Sequence, residues 1–152
     1  MSAEARHDIA TAADIDRLVA AFYALVLPDP IIGFIFTDIA RIDLATHLPK
    51  ISAFWQLQLL GERGYRGDTF AEHKLLHARV ALTPDHFHRW LFLFGGTVDE
   101  LFAGPRAELA KRRAAAIARS MQRALASQPP SPERIEELRG VLQVAPRRRR
   151  DG

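Results

Sequence analysis

The segment TPDHFHRWLFLFGGTVDEL, residues 83–101, has the clearest helical pattern in the chain. Thr83 is a suitable N-cap, and Pro84 suits the first helical position, where a backbone N–H would have no partner. Apolar residues then recur three and four positions apart, the spacing of one buried helical face: Phe87, Trp90, Leu91, Phe94, Val98 and Leu101. We predict a helix that begins after Thr83 and is closed by Gly104 and Pro105.

The segment at the N-terminal end of the chain also follows helical spacing. Thr11 and Asp14 predict a capping box at the start of a helix, and Pro28 and Pro30 are expected to end that helix. The apolar residues 31–36 that follow are too few for a helix of their own, so a buried turn is expected there.

The remaining segments complete a helical pattern. A second helix is expected from about Asp43 to Leu60, and Pro49 inside it predicts a kink or a late start. Residues 61–68 predict a loop, residues 70–77 fit a short helix, and residues 106–127 fit a long helix rich in alanine and arginine. No stretch alternates as a strand does, so the predicted fold class is all-α.

Length and composition narrow the class of protein. The 152 residues, 48% hydrophobic and 26% charged, suit one globular domain with a small appendage. The lack of cysteine excludes disulfides, cysteine nucleophiles and thiolate-bound metals. No run approaches the roughly 18 apolar residues of a membrane span, and the polar N-terminus lacks the pattern of a signal peptide. We therefore expect a cytoplasmic protein without a membrane partner.

The net charge of +3 belongs to the C-terminal tail, because residues 147–151 are four arginines and one aspartate. Residues 1–146 are formally neutral, so the charge does not favour a nucleic-acid partner. The proline-rich stretch QPPSP, residues 128–132, marks a break, and residues 131–144 fit a short amphipathic helix. We expect one domain over residues 1–127 and an extension over residues 128–152.

The chain has six histidines, two tryptophans and nine phenylalanines. A helical protein with an inward histidine in an apolar pocket meets the needs of haem, since a neutral imidazole ligates the iron and a dry wall covers the porphyrin. Composition alone does not select this interpretation, because each histidine can also be a solvated or hydrogen-bonded residue. His86 and His88, in the first turn after Thr83, are expected to be structural.

Short motifs follow one another along the chain: FY (22–23), DPIIGFIF (29–36), HLPKI (47–51), FW (54–55), LLG (59–61), YRG (65–67), FAEH (70–73) and HFHRWLFLF (86–94). In order and spacing they resemble the group III truncated haemoglobins over roughly residues 15–125. The resemblance implies a truncated globin, a two-over-two α-helical sandwich around haem b. Residues 128–152 would then add a C-terminal helix and a basic tail.

The resemblance assigns roles to three residues. His73 matches the proximal histidine, the metal ligand, and Tyr23 matches a distal tyrosine whose hydroxyl donates to a ligand in a dry pocket. Trp90 matches a distal tryptophan, whose indole N–H can only donate. Three simpler interpretations stay open: a surface histidine at 73, a core tyrosine bonded to a carbonyl at 23, and a packing residue at 90.

The remaining matches lie around the same pocket. His47 matches a distal position where it can donate a hydrogen bond, act as a gate or bind the iron, and these alternatives stay open. Ile51 is expected to wall the pocket, and Phe54 and Trp55 to pack nearby or contact haem.

Haem propionates need cations at the pocket mouth. Lys50 is the first candidate by the resemblance, and Arg79 and His77 are weaker ones. The reason is that LLHAR, residues 75–79, departs from the proline-rich turn that this group often has there. A solvated cation without such a contact is the alternative in each case.

The resemblance implies a haem protein that binds O₂, CO, NO or other small haem ligands and is reduced by an unknown reductase. Two donors predict high O₂ affinity and slow release, which suits oxygen transport poorly. NO dioxygenase-like or peroxidase-like activity and sulfide handling are as open as storage. The alternatives are a haem-based sensor that signals through residues 131–144 and a haem-free helical interaction module with a basic tail. The oligomeric state is left open.

Overall fold

The computed structural model describes residues 5–64 and 82–126. These residues form four α-helices and one π-helical turn and contain no strand, so the all-α prediction is confirmed for them. The helices are α1 (Ala12–Val26), α2 (Leu44–Leu60), α3 (Pro84–Leu101) and α4 (Pro105–Leu125), and the π-helical turn spans Ile35–Ile39. The helices expected over residues 70–77 and 131–144 lie outside the described residues.

The four helices form two pairs that stack on each other. Helix α1 packs against α2, and α3 packs against α4. The pairs meet where α1 lies on α3 and where α2 lies on α4. This is the two-over-two arrangement, and its core is continuous through α1, α2 and α3.

Helix α1 begins with the predicted capping box. The Asp14 backbone N–H donates to Thr11 Oγ1 at 3.2 Å, and Asp14 Oδ2 accepts from the Thr11 backbone N–H at 3.0 Å. These bonds satisfy donors that the first turn of a helix leaves without partners. One face of the helix is buried and carries Ile15, Leu18, Val19, Phe22, Tyr23 and Val26.

The chain leaves α1 through a turn held by Asp29. Asp29 Oδ2 accepts from the backbone N–H groups of Ile31 and Ile32, each at 3.0 Å. Gly33 follows in close contact with α1, because a Cβ at this position would lie 2.4 Å from the Leu27 carbonyl oxygen. The buried turn expected over residues 31–36 is therefore buried on one side only: Ile32 and Ile35 are in the core, whereas Ile31 and Phe34 are exposed.

Helix α2 begins at Leu44 and runs through Pro49, so of the two effects expected from Pro49, a kink or a late start, the late start does not occur. Backbone bonds from Thr46 and His47 to the Asp43 carbonyl form the first turn ahead of the proline. The helix ends at Gly61, whose φ of +76° is a left-handed conformation that favours glycine.

Helix α3 begins as predicted, and the capping residues include His86. Its backbone N–H donates to Thr83 Oγ1 at 3.3 Å, and its Nδ1 accepts from the Thr83 backbone N–H at 3.0 Å. The helix ends at Leu101, before Gly104 and Pro105. Those two residues begin α4 and do not close α3, because Pro105 occupies the first turn of α4 and Gly104 is its N-cap.

The N-terminus of α4 is capped from the start of the chain. Asp8 accepts from the backbone N–H groups of Arg106 at 2.9 Å and Ala107 at 2.8 Å. The Ala103 backbone N–H donates to the His7 carbonyl at 3.1 Å. Gly104, at a φ of +146°, lies so close that an added Cβ would be 2.5 Å from Asp8 Cγ. The arm formed by residues 7–9 is thereby attached to the corner between α3 and α4.

Candidate haem-binding site

Four rings from three helices meet in the core, and we call them the aromatic cluster: Phe22 of α1, Trp55 of α2, and Trp90 and Phe94 of α3. Phe94 stacks on Trp90 with ring centroids 5.4 Å apart and on Trp55 at 4.9 Å. Phe22 meets Trp90 edge to face at 5.9 Å. Such offset or perpendicular pairs are the favoured aromatic geometries, so the cluster fixes where α1, α2 and α3 lie relative to one another.

A polar pair lies beside this cluster. The Tyr23 hydroxyl is 2.8 Å from His47 Nε2, a hydrogen bond that joins α1 to α2. Tyr23 is only 5% exposed, and Phe36 of the π-helical turn meets its ring edge to face at 5.6 Å. The phenol is therefore in a largely apolar environment, where a hydrogen bond is stronger than it is in water.

The structure pairs two of the distal residues suggested by the resemblance and places the third in the aromatic cluster. Tyr23 contacts His47 directly, whereas Trp90 contacts Phe22, the residue before Tyr23. Ile51, one helical turn after His47, is partly buried against the same core. These residues come from α1, α2 and α3, so only the tertiary fold brings them together.

The other residues of the resemblance differ in their surroundings. Trp55 is buried at 3% exposure and belongs to the aromatic cluster, and Phe54 meets it edge to face at 5.4 Å. Lys50 is half-buried on α2, one turn from His47. His73, His77 and Arg79 lie outside the described residues, so their predicted roles stay predictions.

An open, mostly apolar cleft of about 520 Å³ lies beside the contact between α2 and α4 and is lined by residues of both helices. Phe54 and Gln58 line it from α2, and the facing residues of α4 are Ala116, Ile117, Ser120, Met121 and Ala124. Its volume lies within the range of roughly 300–1,000 Å³ that is usual for small-molecule and cofactor sites. Together with the buried aromatic cluster, these apolar walls fit a large flat cofactor such as haem.

Sequence reasoning missed an ion pair near the distal residues. Asp29 Oδ1 accepts from Arg89 Nε at 2.9 Å and from Nη2 at 2.6 Å. The Arg89 hydrogen bond holds the pKa of Asp29 below its usual range although burial opposes this, and the Ile31 and Ile32 backbone N–H groups lower the pKa further. Asp29 and Arg89 are 60 residues apart in sequence. Each belongs to one of the recognised motifs, but no spacing in the sequence indicates that the two residues pair.

Phe36 was also missed, although its motif was recognised. It stood in the block DPIIGFIF without an assigned role, and its contact with Tyr23 depends on the π-helical turn that follows α1. No periodicity in the sequence indicates that turn.

No helix in the described part of the chain is both long and apolar enough to cross a membrane. In the same residues, no group of three or more histidine, aspartate or glutamate side chains is arranged to hold a metal ion.

No protein-family model matches the sequence, and a comparison with curated proteins gives no match either. Among solved structures, the crystal structure of group III truncated hemoglobin from Campylobacter jejuni matches with a TM-score of 0.68 and 27% sequence identity. The match covers 79% of this chain and 94% of that chain. The chain therefore has the truncated-globin fold, and that fold implies a haem-binding globin.

The match also agrees with the group that the motifs indicate. The resemblance to group III truncated haemoglobins is confirmed by the structure. It suggests haem as the cofactor and diatomic molecules as ligands.

Proposed function

We propose that this chain is a globin that holds haem b and binds O₂ and other diatomic ligands, with Tyr23 and Trp90 as the donors that retain the ligand. The observation that carries the proposal is the hydrogen bond of 2.8 Å between the buried Tyr23 and the half-buried His47, beside the aromatic cluster of a truncated-globin fold. A few polar groups that meet in an otherwise apolar region are typical of a ligand site.

Haem, when bound, supplies the iron at which a diatomic ligand binds. His73 would hold the iron, by the resemblance. Phe54 would contact the porphyrin from the wall of the cleft between α2 and α4, and Ile51 would cover its distal side. Lys50 and Arg79 would pair with the propionates at the pocket mouth.

Tyr23 is suited to donate to a ligand that acquires negative charge. Its hydroxyl is already within hydrogen-bonding distance of His47 Nε2, and 5% exposure leaves little water to compete. A fixed donor in a water-poor site stabilises developing charge without reorganising. His47 would donate from its Nε2–H to the phenol oxygen, which leaves the Tyr23 hydroxyl proton for the ligand. This favours the hydrogen-bonding role among the three that the sequence leaves open.

Trp90 is the second proposed donor. Its ring is held between the stack with Phe94 and the edge of Phe22, so its position is set by two contacts. The indole N–H has no acceptor function, and a ligand within reach can only receive a hydrogen bond from it.

Two donors predict slow release of O₂ and hence high affinity. The same donors would polarise an O–O bond, so reactions with NO, peroxide or sulfide fit this site as well as storage does. Oxygen transport, which needs ready release, fits it less well. An electron donor, the unknown reductase, would keep the iron able to bind O₂.

The experiment that tests the proposal is stopped-flow measurement of O₂ dissociation from the haem-loaded chain. Tyr23→Phe and Trp90→Phe each remove one N–H or O–H donor and are expected to raise the rate about fivefold, since a hydrogen bond is worth about 1 kcal/mol. Trp55→Phe is the matched control, because it makes the same substitution in the aromatic cluster at a residue without a proposed donor role.

The outcomes separate the interpretations. An unchanged rate in both Tyr23→Phe and Trp90→Phe would refute the donor assignment. An equal rise in Trp55→Phe would show that the rate responds to packing and not to the lost donor at Trp90.

A further inference from the structure

We propose that the Asp29–Arg89 ion pair is a positioning device for Trp90: it fixes the rotation of α3 about its own axis and so aims the indole of the neighbouring residue at the ligand. This inference rests on the donor role proposed for Trp90. Arg89 directly precedes Trp90 in the chain, so the pair would act on the ligand through Trp90.

The first step is that Asp29 is a fixed anchor. Its side chain is 2% exposed, and both carboxylate oxygens are occupied. Oδ2 takes the backbone N–H groups of Ile31 and Ile32, and Oδ1 takes the Arg89 guanidinium. Because the carboxylate is bonded to the turn that leaves α1, the anchor moves only if that turn moves.

The second step is that Arg89 is held on more than one side. Two of its nitrogens reach the same Asp29 oxygen, at 2.9 Å from Nε and 2.6 Å from Nη2. Its guanidinium carbon also lies 5.4 Å from the centroid of the Phe92 ring. A planar guanidinium bound in this way has little freedom, whereas a lysine ammonium would offer a single point charge.

The third step is that adjacent helical residues point in different directions. Residues 89 and 90 are about 100° apart around the axis, because a turn contains 3.6 residues. Arg89 reaches the Asp29 turn, and Trp90 reaches Phe22 of α1. Two contacts at different angles to the same part of the molecule prevent α3 from rotating.

The consequence for Trp90 follows from geometry. A rotation of about 20° would move an atom at the outer radius of a helix, about 5–6 Å from the axis, by about 2 Å. Hydrogen bonds tolerate a range of only about 0.5 Å in length. The contacts of Trp90 with Phe22 and Phe94 remain when the ion pair is lost, so a smaller rotation is expected, which would lengthen and weaken the Trp90 hydrogen bond to the ligand even though Trp90 itself is retained.

The test uses the full chain loaded with haem and three variants: Asp29→Asn, Trp90→Phe and the double variant. O₂ dissociation is measured together with the infrared C–O stretching band of the CO complex, which responds to hydrogen bonding at the ligand. Asp29→Asn is expected to raise the O₂ dissociation rate about three- to tenfold and to shift the band. In the Trp90→Phe background the same substitution is expected to change neither.

Two controls separate positioning from a general loss of stability. Lys111→Gln breaks the ion pairs of Lys111 with Glu108 on α4 and with Asp99 near the C-terminal end of α3. Because the Asp99 and Glu108 side chains are 61% and 60% exposed, these pairs contribute little, and rate and band are expected to stay unchanged. Arg89→Lys keeps the charge and is expected to give a smaller shift in the same direction. If Asp29→Asn fails to fold, Arg89→Lys is measured in its place.

Each outcome decides a question. A lower urea midpoint with unchanged rate and band in both Asp29→Asn and Arg89→Lys would make the pair purely structural and overturn the inference. The inference is also overturned if Asp29→Asn changes rate and band as much in the Trp90→Phe background as it does in the wild type. The ion pair would then act on something other than Trp90. If Trp90→Phe alone leaves rate and band unchanged, the proposed donor role of Trp90 fails, and this inference fails with it.

Discussion

At the scale of the residue, Asp29 is a buried carboxylate whose charge is compensated from both sides. The Arg89 guanidinium holds one oxygen, and the backbone N–H groups of Ile31 and Ile32 hold the other. Removing one partner from a buried pair leaves the other charge without compensation, which is more costly than losing a surface ion pair. Asp29 therefore stabilises the fold as long as it is ionised.

This charge predicts a pH dependence of stability. The Arg89 hydrogen bond lowers the pKa of Asp29 in the folded protein, so its stabilisation is present above the pKa of the unfolded chain and is lost as pH falls through the folded value. We expect Asp29→Asn to lower the free energy of unfolding by about 2 kcal/mol at pH 7. This is less than the loss of about 3–5 kcal/mol that is usual when one partner of a fully buried ion pair is removed, because the Arg89 side chain is 30% exposed.

Urea unfolding of wild type and Asp29→Asn at several pH values measures this effect. The difference between the two proteins is expected to be constant near neutrality and to shrink below about pH 4, where Asp29 is first protonated in the unfolded chain and then, at lower pH, in the folded protein. A difference of the same size at pH 2 and pH 7 would show that Asp29 acts by packing and not by charge.

Sequence reasoning placed some residues of the site and missed others for a physical reason. Tyr23, His47 and Trp90 stand in recognisable motifs, and the fold pairs Tyr23 with His47 and sets Trp90 against Phe22. Asp29 and Arg89 stand in the same motifs, but their pairing depends on how the turn after α1 meets α3. Such a tertiary contact leaves no trace in local spacing.

At the scale of the element, the helix ends show which signals are local. Thr11 and Thr83 cap helices through residues three positions away, and both caps were predicted. Helix α4 has no local side-chain cap, and Asp8 supplies one from the other end of the chain. For this reason the sequence pattern predicts Gly104 and Pro105 as the end of α3, whereas in the structure they begin α4.

The distant cap predicts a measurable contribution to stability. Asp8→Ala removes the acceptor of the Ile9, Arg106 and Ala107 backbone N–H groups and is expected to lower the free energy of unfolding by about 1–2 kcal/mol. Urea denaturation monitored by circular dichroism measures it.

Asp8→Asn retains one acceptor oxygen and is expected to have a smaller effect. The matched control is Asp16→Ala, an exposed aspartate on α1, for which a change within about 0.5 kcal/mol is expected. Equal losses in Asp8→Ala and Asp16→Ala would contradict the capping role.

At the scale of the whole molecule, we propose that residues 1–127 form the globin domain and residues 128–152 an extension. The similar truncated haemoglobin matches over 79% of this chain, and α4 ends at Leu125 with Met121 and Leu125 buried. The core of the described helices thus closes before the proline-rich stretch.

A truncation series tests this boundary. A chain that ends at residue 127 is expected to keep its haem affinity, its O₂ dissociation rate and its urea midpoint. A chain that ends at residue 120 loses two buried side chains, each worth about 1.5–3 kcal/mol, and is expected to be markedly less stable. Loss of haem binding in the longer of the two chains would contradict the proposed boundary.

Titration of haem into the purified 152-residue chain, followed by absorption in the Soret region, tests whether this helical fold holds haem through His73. We expect wild type to develop a Soret band that saturates at one haem per chain. We expect His73→Ala to lose that band while its far-ultraviolet circular dichroism stays helical. A wild-type chain that is folded but develops no Soret band with excess haem would refute the proposed haem binding.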